Sequence, residues 1–173
     1  AYKLINNHTF PSWGYSIENG ATTIWERWDG YVKGRGFQNK GMNSFNHYAI
    51  GAVGEWMYRV ILGINNDDAH PAYEHFIIRP RPGGGLKWAK GSYNSIRGRI
   101  ESGWNITGNK LKIDAAIPAN TTATVYVPAR DPTTVKEGGK PASSAAGIKF
   151  LRMEDGAAVF LVQSGSYSFE AEQ

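Results

Sequence analysis

The sequence contains no cysteine, which excludes a disulfide framework and any thiolate metal site and leaves the redox compartment open. No apolar run approaches the roughly 18 residues that a bilayer-spanning helix needs, so no membrane partner is expected. The opening residues, Ala1 to His8, carry neither the basic start nor the apolar run of a signal peptide. They leave export of any parent chain undecided. Charge of one sign is also scarce: 19 Lys and Arg against 15 Asp and Glu leave a formal +4 and a pI of about 9.3. The basic residues are scattered from Lys3 to Arg152 without a cluster or a recognition helix, so a nucleic-acid partner is not expected.

Other chemistries are excluded by spacing. Gly34-Arg35-Gly36 and Gly83-Gly84-Gly85 lack the strand and helix context of a phosphate loop. His8, His70 and His75 show no metal-ligand pattern with a supporting carboxylate, and there is no Gly-Xaa-Ser-Xaa-Gly elbow. No metal and no cofactor are expected.

What is present is a folded, soluble composition, 41% hydrophobic and 20% charged. A chain of 173 residues holds one ordinary domain, or a small domain with a piece of another, and is too short for a large catalytic barrel. Residues 1–65 are rich in Trp, Tyr and Asn. Their apolar periodicity predicts one helix over 44–62, with Asn43 or Ser44 as N-cap, Gly63 as the stop and His47 in its opening turn. That helix is apolar or small nearly all round, and Gly51 and Gly54 would each cost about 1 kcal/mol against Ala, which implies close neighbours on most sides.

Residues 66–173 alternate short apolar runs with Gly, Pro, Asn and Asp turns. Strands are expected over 73–79, 86–89, 91–100, 103–107, 110–117, 123–127, 148–152, 157–162 and 165–170, with a loop or hairpin over 135–147. Many short strands so joined predict an antiparallel β-sandwich.

Glu26 is the residue most suited to chemistry. It lies between Trp25 and Arg27, with Trp28 and Asp29 behind. Indoles suit the apolar face of a sugar while a carboxylate handles the proton; core tryptophans beside a solvated Glu and Arg ion pair are the competing reading. His47 is open to two readings as well, a ligand for a sugar hydroxyl or a capping and packing residue.

Three segments carry a resemblance: Phe10-Pro11-Ser12-Trp13-Gly14-Tyr15, the run from Gly20 through Trp25-Glu26-Arg27-Trp28 to Gly30, and Asn43-Ser44-Phe45-Asn46-His47-Tyr48-Ala49 with Glu55-Trp56-Met57-Tyr58. They resemble the end of the catalytic domain of bacterial α-L-rhamnosidases of glycoside hydrolase family 78. Residues 64–80, 86–93 and 117–123 are similar to the β-sandwich that closes that family. The resemblance implies an α+β chain with the C-terminal helices of an (α/α)6 barrel over 1–65 and the sandwich over 66–173. It implies Glu26 as general base, His47 as a contact to rhamnose, a rhamnose-containing carbohydrate as substrate, and the remainder of the barrel as partner.

An inverting glycosidase needs two carboxyl groups about 6.5–9.5 Å apart, one protonating the leaving oxygen and one activating water. The family's acid segment lies upstream and has no match here, so the isolated chain is expected to be inactive. The alternative is a non-catalytic carbohydrate-binding or structural sandwich, with Trp88, Tyr93 and Trp104 as an aromatic platform or as core.

Overall fold

A computed structural model describes residues 1–172, which divide into two compact units, residues 1–56 and the described residues from 57 on. The first unit is short helices and loops gathered on aromatic side chains. Helix α1 (Tyr2–Ile5) precedes α2 (Trp13–Glu18), whose N-terminus is capped by Ser12 Oγ accepting from the Tyr15 amide at 3.0 Å. A small hairpin, β1 (Tyr31–Val32) and β2 (Gly36–Phe37), follows. A 3-10 turn (Ala49–Ala52) leads into α3 (Val53–Trp56). Trp25 is buried, with edge-to-face contacts to Phe45 at 5.2 Å and Tyr31 at 6.5 Å; Phe37 closes the cluster against Phe45 at 5.3 Å and Tyr31 at 5.4 Å.

The helix expected over 44–62 forms over 49–61 only, as a 3-10 turn, an α turn and a π turn in succession. Residues 44–48 are non-helical because the amides of Ser44 and His47 are already bonded, to the Glu26 carboxylate and to the Ile24 carbonyl. The 3-10 turn starts after Tyr48, so His47 precedes it rather than opening a helix. The close approach expected at Gly51 is to the Ile24 side chain, 3.2 Å from where a Cβ would sit, while Gly54 has nothing within 4 Å.

The second unit begins with a π-helical turn (Met57–Ile61) closed by the Leu62 amide on the Met57 carbonyl at 3.0 Å. Strands β3 (Ile64–Asn66), β4 (His75–Ile78), β5 (Trp88–Ser95), β6 (Gly98–Thr107), β7 (Lys110–Ile117) and β8 (Thr122–Pro128) follow. After them come a hairpin, β9 (Lys136–Glu137) and β10 (Lys140–Pro141), then β11 (Ile148–Glu154), β12 (Ala157–Val162) and β13 (Gly165–Glu172). They form a six-stranded sheet in the order β10-β9-β13-β7-β6-β5 and a five-stranded sheet in the order β11-β12-β8-β4-β3.

Alternation in the sequence matches alternation in burial, most regularly in β7, where Leu111, Ile113, Ala115 and Ile117 face inward. Phe160 of β12 and Phe169 of β13 meet between the sheets at 5.8 Å, both fully buried. Phe76, Ile78, Val125, Val127 and Val159 from one sheet and Ile100 and Ile113 from the other complete the core, each such side chain contributing about 1.5–3 kcal/mol.

Three features differ from the sequence-based expectation. One strand pair, β4 with β8, is parallel, because the chain leaves β4 for three strands of the opposite sheet and returns in the same direction. Residues 91–100 are not one strand: Ser95 Oγ accepts from the Arg97 amide and donates to the Gly98 carbonyl, turning β5 into β6. The aromatic platform does not exist as expected. Trp104 is 2% exposed and donates to the Ile61 carbonyl at 2.7 Å, while Tyr93 packs on Tyr73 at 5.0 Å. Ser102 makes the matching bond to the Leu62 carbonyl at 2.6 Å.

Gly63 links this turn to β3 at φ +74°, and a Cβ there would lie 2.1 Å from the Arg79 carbonyl carbon and the Pro80 nitrogen. Gly63→Ala is expected to cost at least about 2 kcal/mol, combining left-handed strain with the clash, as measured by urea unfolding.

His75 bridges two threonines, Nδ1 to Thr122 Oγ1 at 2.7 Å and Nε2 to Thr124 Oγ1 at 2.8 Å, and burial pushes its pKa below the ordinary 6.5, with Asp67 opposing. Below the unfolded value the unfolded chain binds the extra proton more readily. The contribution of His75 is therefore complete above about pH 6.5 and is lost as pH falls through the lowered folded value. Melting temperature followed against pH should decline on that side of about 6.5, and His75→Gln should flatten the decline.

Candidate active site

Two extended segments of the first unit lie side by side. The Glu26 amide donates to the Ser44 carbonyl at 2.8 Å, and the Ser44 amide donates back to Glu26 Oε2 at 2.8 Å. Three residues on, the His47 amide donates to the Ile24 carbonyl at 2.9 Å, and Thr23 Oγ1 donates to the Phe45 carbonyl. Glu26 and His47, distant in sequence, therefore stand on neighbouring strands of backbone. Both are half-buried.

The Glu26 carboxylate is asymmetric in its surroundings. Oε2 is held by a main-chain amide, whereas Oε1 accepts no hydrogen bond from the described residues. The neighbouring cation does not pair with it. Arg27 is bidentate to Asp29, Nε to Oδ1 and Nη2 to Oδ2 at 2.9 Å each. That hydrogen bond, before the charge of Arg27, holds the Asp29 carboxyl below the usual carboxylate range, and the same bond raises Arg27. The two tryptophans differ as well: Trp25 is core, and half-buried Trp28 packs edge to face on Trp13 at 5.0 Å. Trp25 has no face to offer a sugar.

His47 stacks flat on the exposed Tyr48, with centroids 5.6 Å apart, and its Nδ1 accepts the Ala49 amide at 3.2 Å. That leaves Nε2 to point elsewhere. An apolar pocket of about 250 Å³ lies beside the Glu26 segment, lined by Trp13, Ile17, Ile24, Trp25 and Ile50 among others; neither Glu26 nor His47 lines it. Among the described residues no group of three or more His, Asp or Glu could hold a metal ion, and no helix is long and apolar enough to cross a membrane.

Asn43 is the residue that sequence reasoning assigned to a different task. It caps no helix. Its Nδ2 donates to the Gly30 carbonyl at 2.9 Å and the Gln38 carbonyl at 2.5 Å, tying the two ends of the β1–β2 hairpin to the residue before Ser44, and its Oδ1 is buried without a partner. A side-chain amide before a Ser reads as a cap from sequence because the carbonyls it serves are up to 13 residues away.

Residues 1–61 match the family model described as the bacterial alpha-L-rhamnosidase 6 hairpin glycosidase domain, and residues 63–142 match the bacterial alpha-L-rhamnosidase C-terminal domain. The chain belongs to the bacterial alpha-L-rhamnosidases, as a C-terminal portion of them.

An alpha-L-rhamnosidase of Streptomyces avermitilis is 45% identical over 98% of this chain. The crystal structure of the Streptomyces avermitilis alpha-L-rhamnosidase complexed with L-rhamnose superimposes with a TM-score of 0.85 at 44% identity over 98% of the chain. The alpha-L-rhamnosidase from Dictyoglumus thermophilum gives 0.82 at 38% identity over 99%. The chain spans only 15%, 16% and 18% of the lengths of these three, respectively.

Removing the Asn43 side chain breaks two part-buried bonds to main-chain carbonyls. Asn43→Ala should destabilise the first unit by about 1–3 kcal/mol and loosen Ser44, seen as faster hydrogen exchange at the Ser44 amide.

Proposed function

We propose that the chain is the C-terminal part of an inverting α-L-rhamnosidase that releases terminal α-L-rhamnose from glycosides or polysaccharides. In this reading residues 1–65 supply the last segments of an (α/α)6 barrel and 66–173 the closing β-sandwich. Glu26 is the general base. The observation that carries the assignment is its divided carboxylate: the Ser44 amide fixes Oε2 and leaves Oε1 with no donor among the described residues, so that oxygen has a lone pair for a water's proton. His47, on the adjoining segment, contacts the sugar.

The chemistry follows from inversion. A carboxylate on one face of the ring takes a proton from water as that water attacks the anomeric carbon, while a carboxylic acid on the other face protonates the departing oxygen. Anchoring by a main-chain amide keeps Oε1 in position without occupying it, and the Arg27 charge is committed to Asp29 rather than to Glu26. The acid is supplied from outside these 173 residues, so the chain alone does not hydrolyse rhamnosides.

The first unit also needs a larger body around it. Leu4, Ile17, Phe37, Met42 and Tyr48 are all more than 60% exposed, more apolar surface than a free unit of this size ordinarily leaves in water. The remainder of the barrel covers it.

In the complete enzyme, Glu26→Gln should lower kcat by about 10²–10⁴ with an unchanged circular dichroism spectrum, and azide should restore part of the turnover. Near-normal kcat in that variant would remove Glu26 from the mechanism. His47→Ala should act mainly on KM for an aryl α-L-rhamnoside; an unchanged KM would make it a packing residue.

A further inference from the structure

We propose that the outer face of the six-stranded sheet is a binding groove for a neutral oligosaccharide, with the Trp88 indole as its stacking surface. Register places the lining in rows across four strands. Lys90, Gly103, Asp114 and Ser168 form one row from β5 through β6 and β7 to β13. On one side of it Trp88 sits opposite Asn105, and on the other Ser92, Glu101, Ala116 and Ser166 form the next row. Together they line an open groove of about 800 Å³.

Its shape comes from what is missing. Gly103 lies at the centre, where a Cβ would press to 3.2 Å from the Lys90 Cβ, and Ala116 supplies only a methyl group. Gly103 and Ala116, diagonal to one another on β6 and β7, leave gaps beside the taller side chains of their register partners, Asp114 and Glu101. Four strands span about 14 Å from β5 to β13, room for several sugar units rather than one.

Chemistry selects the ligand. Trp88 is 66% exposed on the edge strand, its indole available to the C–H face of a pyranose. The side chains beside these gaps supply donors and acceptors: Arg99 Nε donates to Glu101 at 2.7 Å and Ser168 Oγ to Asp114 at 2.8 Å, each carboxylate keeping lone pairs for hydroxyl donors. Three carboxylates, Glu101, Asp114 and Glu137, are matched by three cations, Lys90 and Arg99 in the lining and Lys112, whose Nζ stands 3.4 Å from Asp114 Oδ1. That balance gives a uronate or other polyanion no net attraction and suits hydroxyls without charge. The choice of a glycan over other neutral polar chains rests on the rhamnosidase reading. The groove itself shares no residue with Glu26 or His47.

The test titrates the isotope-labelled 173-residue chain with a neutral rhamnose-capped oligosaccharide, with free L-rhamnose and with an oligogalacturonate, following amide shifts by NMR. Saturable shifts confined to β5, β6, β7 and β13 are expected with the neutral oligosaccharide. Trp88→Ala should weaken this binding about tenfold, Trp88→Phe should recover most of it, and Glu26→Gln should leave it intact. Spectra of the Trp88 variants that match the parent away from β5 establish that they fold.

Unchanged affinity in Trp88→Ala, tighter binding of the oligogalacturonate, loss of binding in Glu26→Gln, or no saturable shift with any probe would each overturn the groove. The rhamnosidase reading fails differently, by unaltered turnover of the complete enzyme carrying Glu26→Gln.

Discussion

The reciprocal bonding of Glu26 and Ser44 is the constraint from which the first unit takes its form. One amide-to-carbonyl bond and one amide-to-carboxylate bond lock residue 26 to residue 44, and the His47 to Ile24 bond extends the pairing. Because these amides are spent between segments, they cannot join an i to i+4 ladder, and helix begins only after Tyr48. The same pairing draws Trp25 against Phe45, so that the aromatic core and the position of the carboxylate are consequences of one another. Asn43 extends the lock to the hairpin by holding both Gly30 and Gln38.

The second unit depends on burial with its polar groups accounted for. Its inner faces are mostly aliphatic and Phe, and two of the polar side chains drawn into it, Ser102 and Trp104, are each bonded to a carbonyl at the end of the π turn. Those carbonyls, at Ile61 and Leu62, would otherwise be orphans of a helical terminus. A surface network marks the other sheet, where Arg79 lies over the Tyr126 ring at 4.3 Å and reaches Asp155 at 2.8 Å. The outward face of the six-stranded sheet has the opposite character, small residues set among hydrogen-bonding ones.

Much of the sandwich was legible because its signals are local. Gly108-Asn109 and Asp155-Gly156 turn where their residue types favour positive φ, and β7 and β12 begin and end where the apolar alternation does. The β9–β10 hairpin could be anticipated from Gly138-Gly139. What could not be read was pairing between distant residues. β3 has only three residues and one buried side chain, too short for a period-two pattern, and is a strand because β4 lies beside it. The parallel match of β4 to β8 and the split of 91–100 by Ser95 likewise depend on partners elsewhere.

By itself the sequence determined composition, the turn positions, the inward periodicity of the strands and, through the Trp-Glu-Arg-Trp and Asn-His-Tyr segments, membership of the rhamnosidase family. These are properties of neighbouring residues, and neighbours interact through short-range conformational preference and alternation of polarity. Only the tertiary structure decided that 44–48 is not helix, that Trp25 is core rather than sugar platform, that Arg27 pairs with Asp29 and not Glu26, and that one oxygen of Glu26 is held while the other has no donor among the described residues. Each of those outcomes is a competition between hydrogen-bond partners far apart in the chain. Local propensity cannot resolve such a competition, because the winning partner is defined only once the chain has closed on itself.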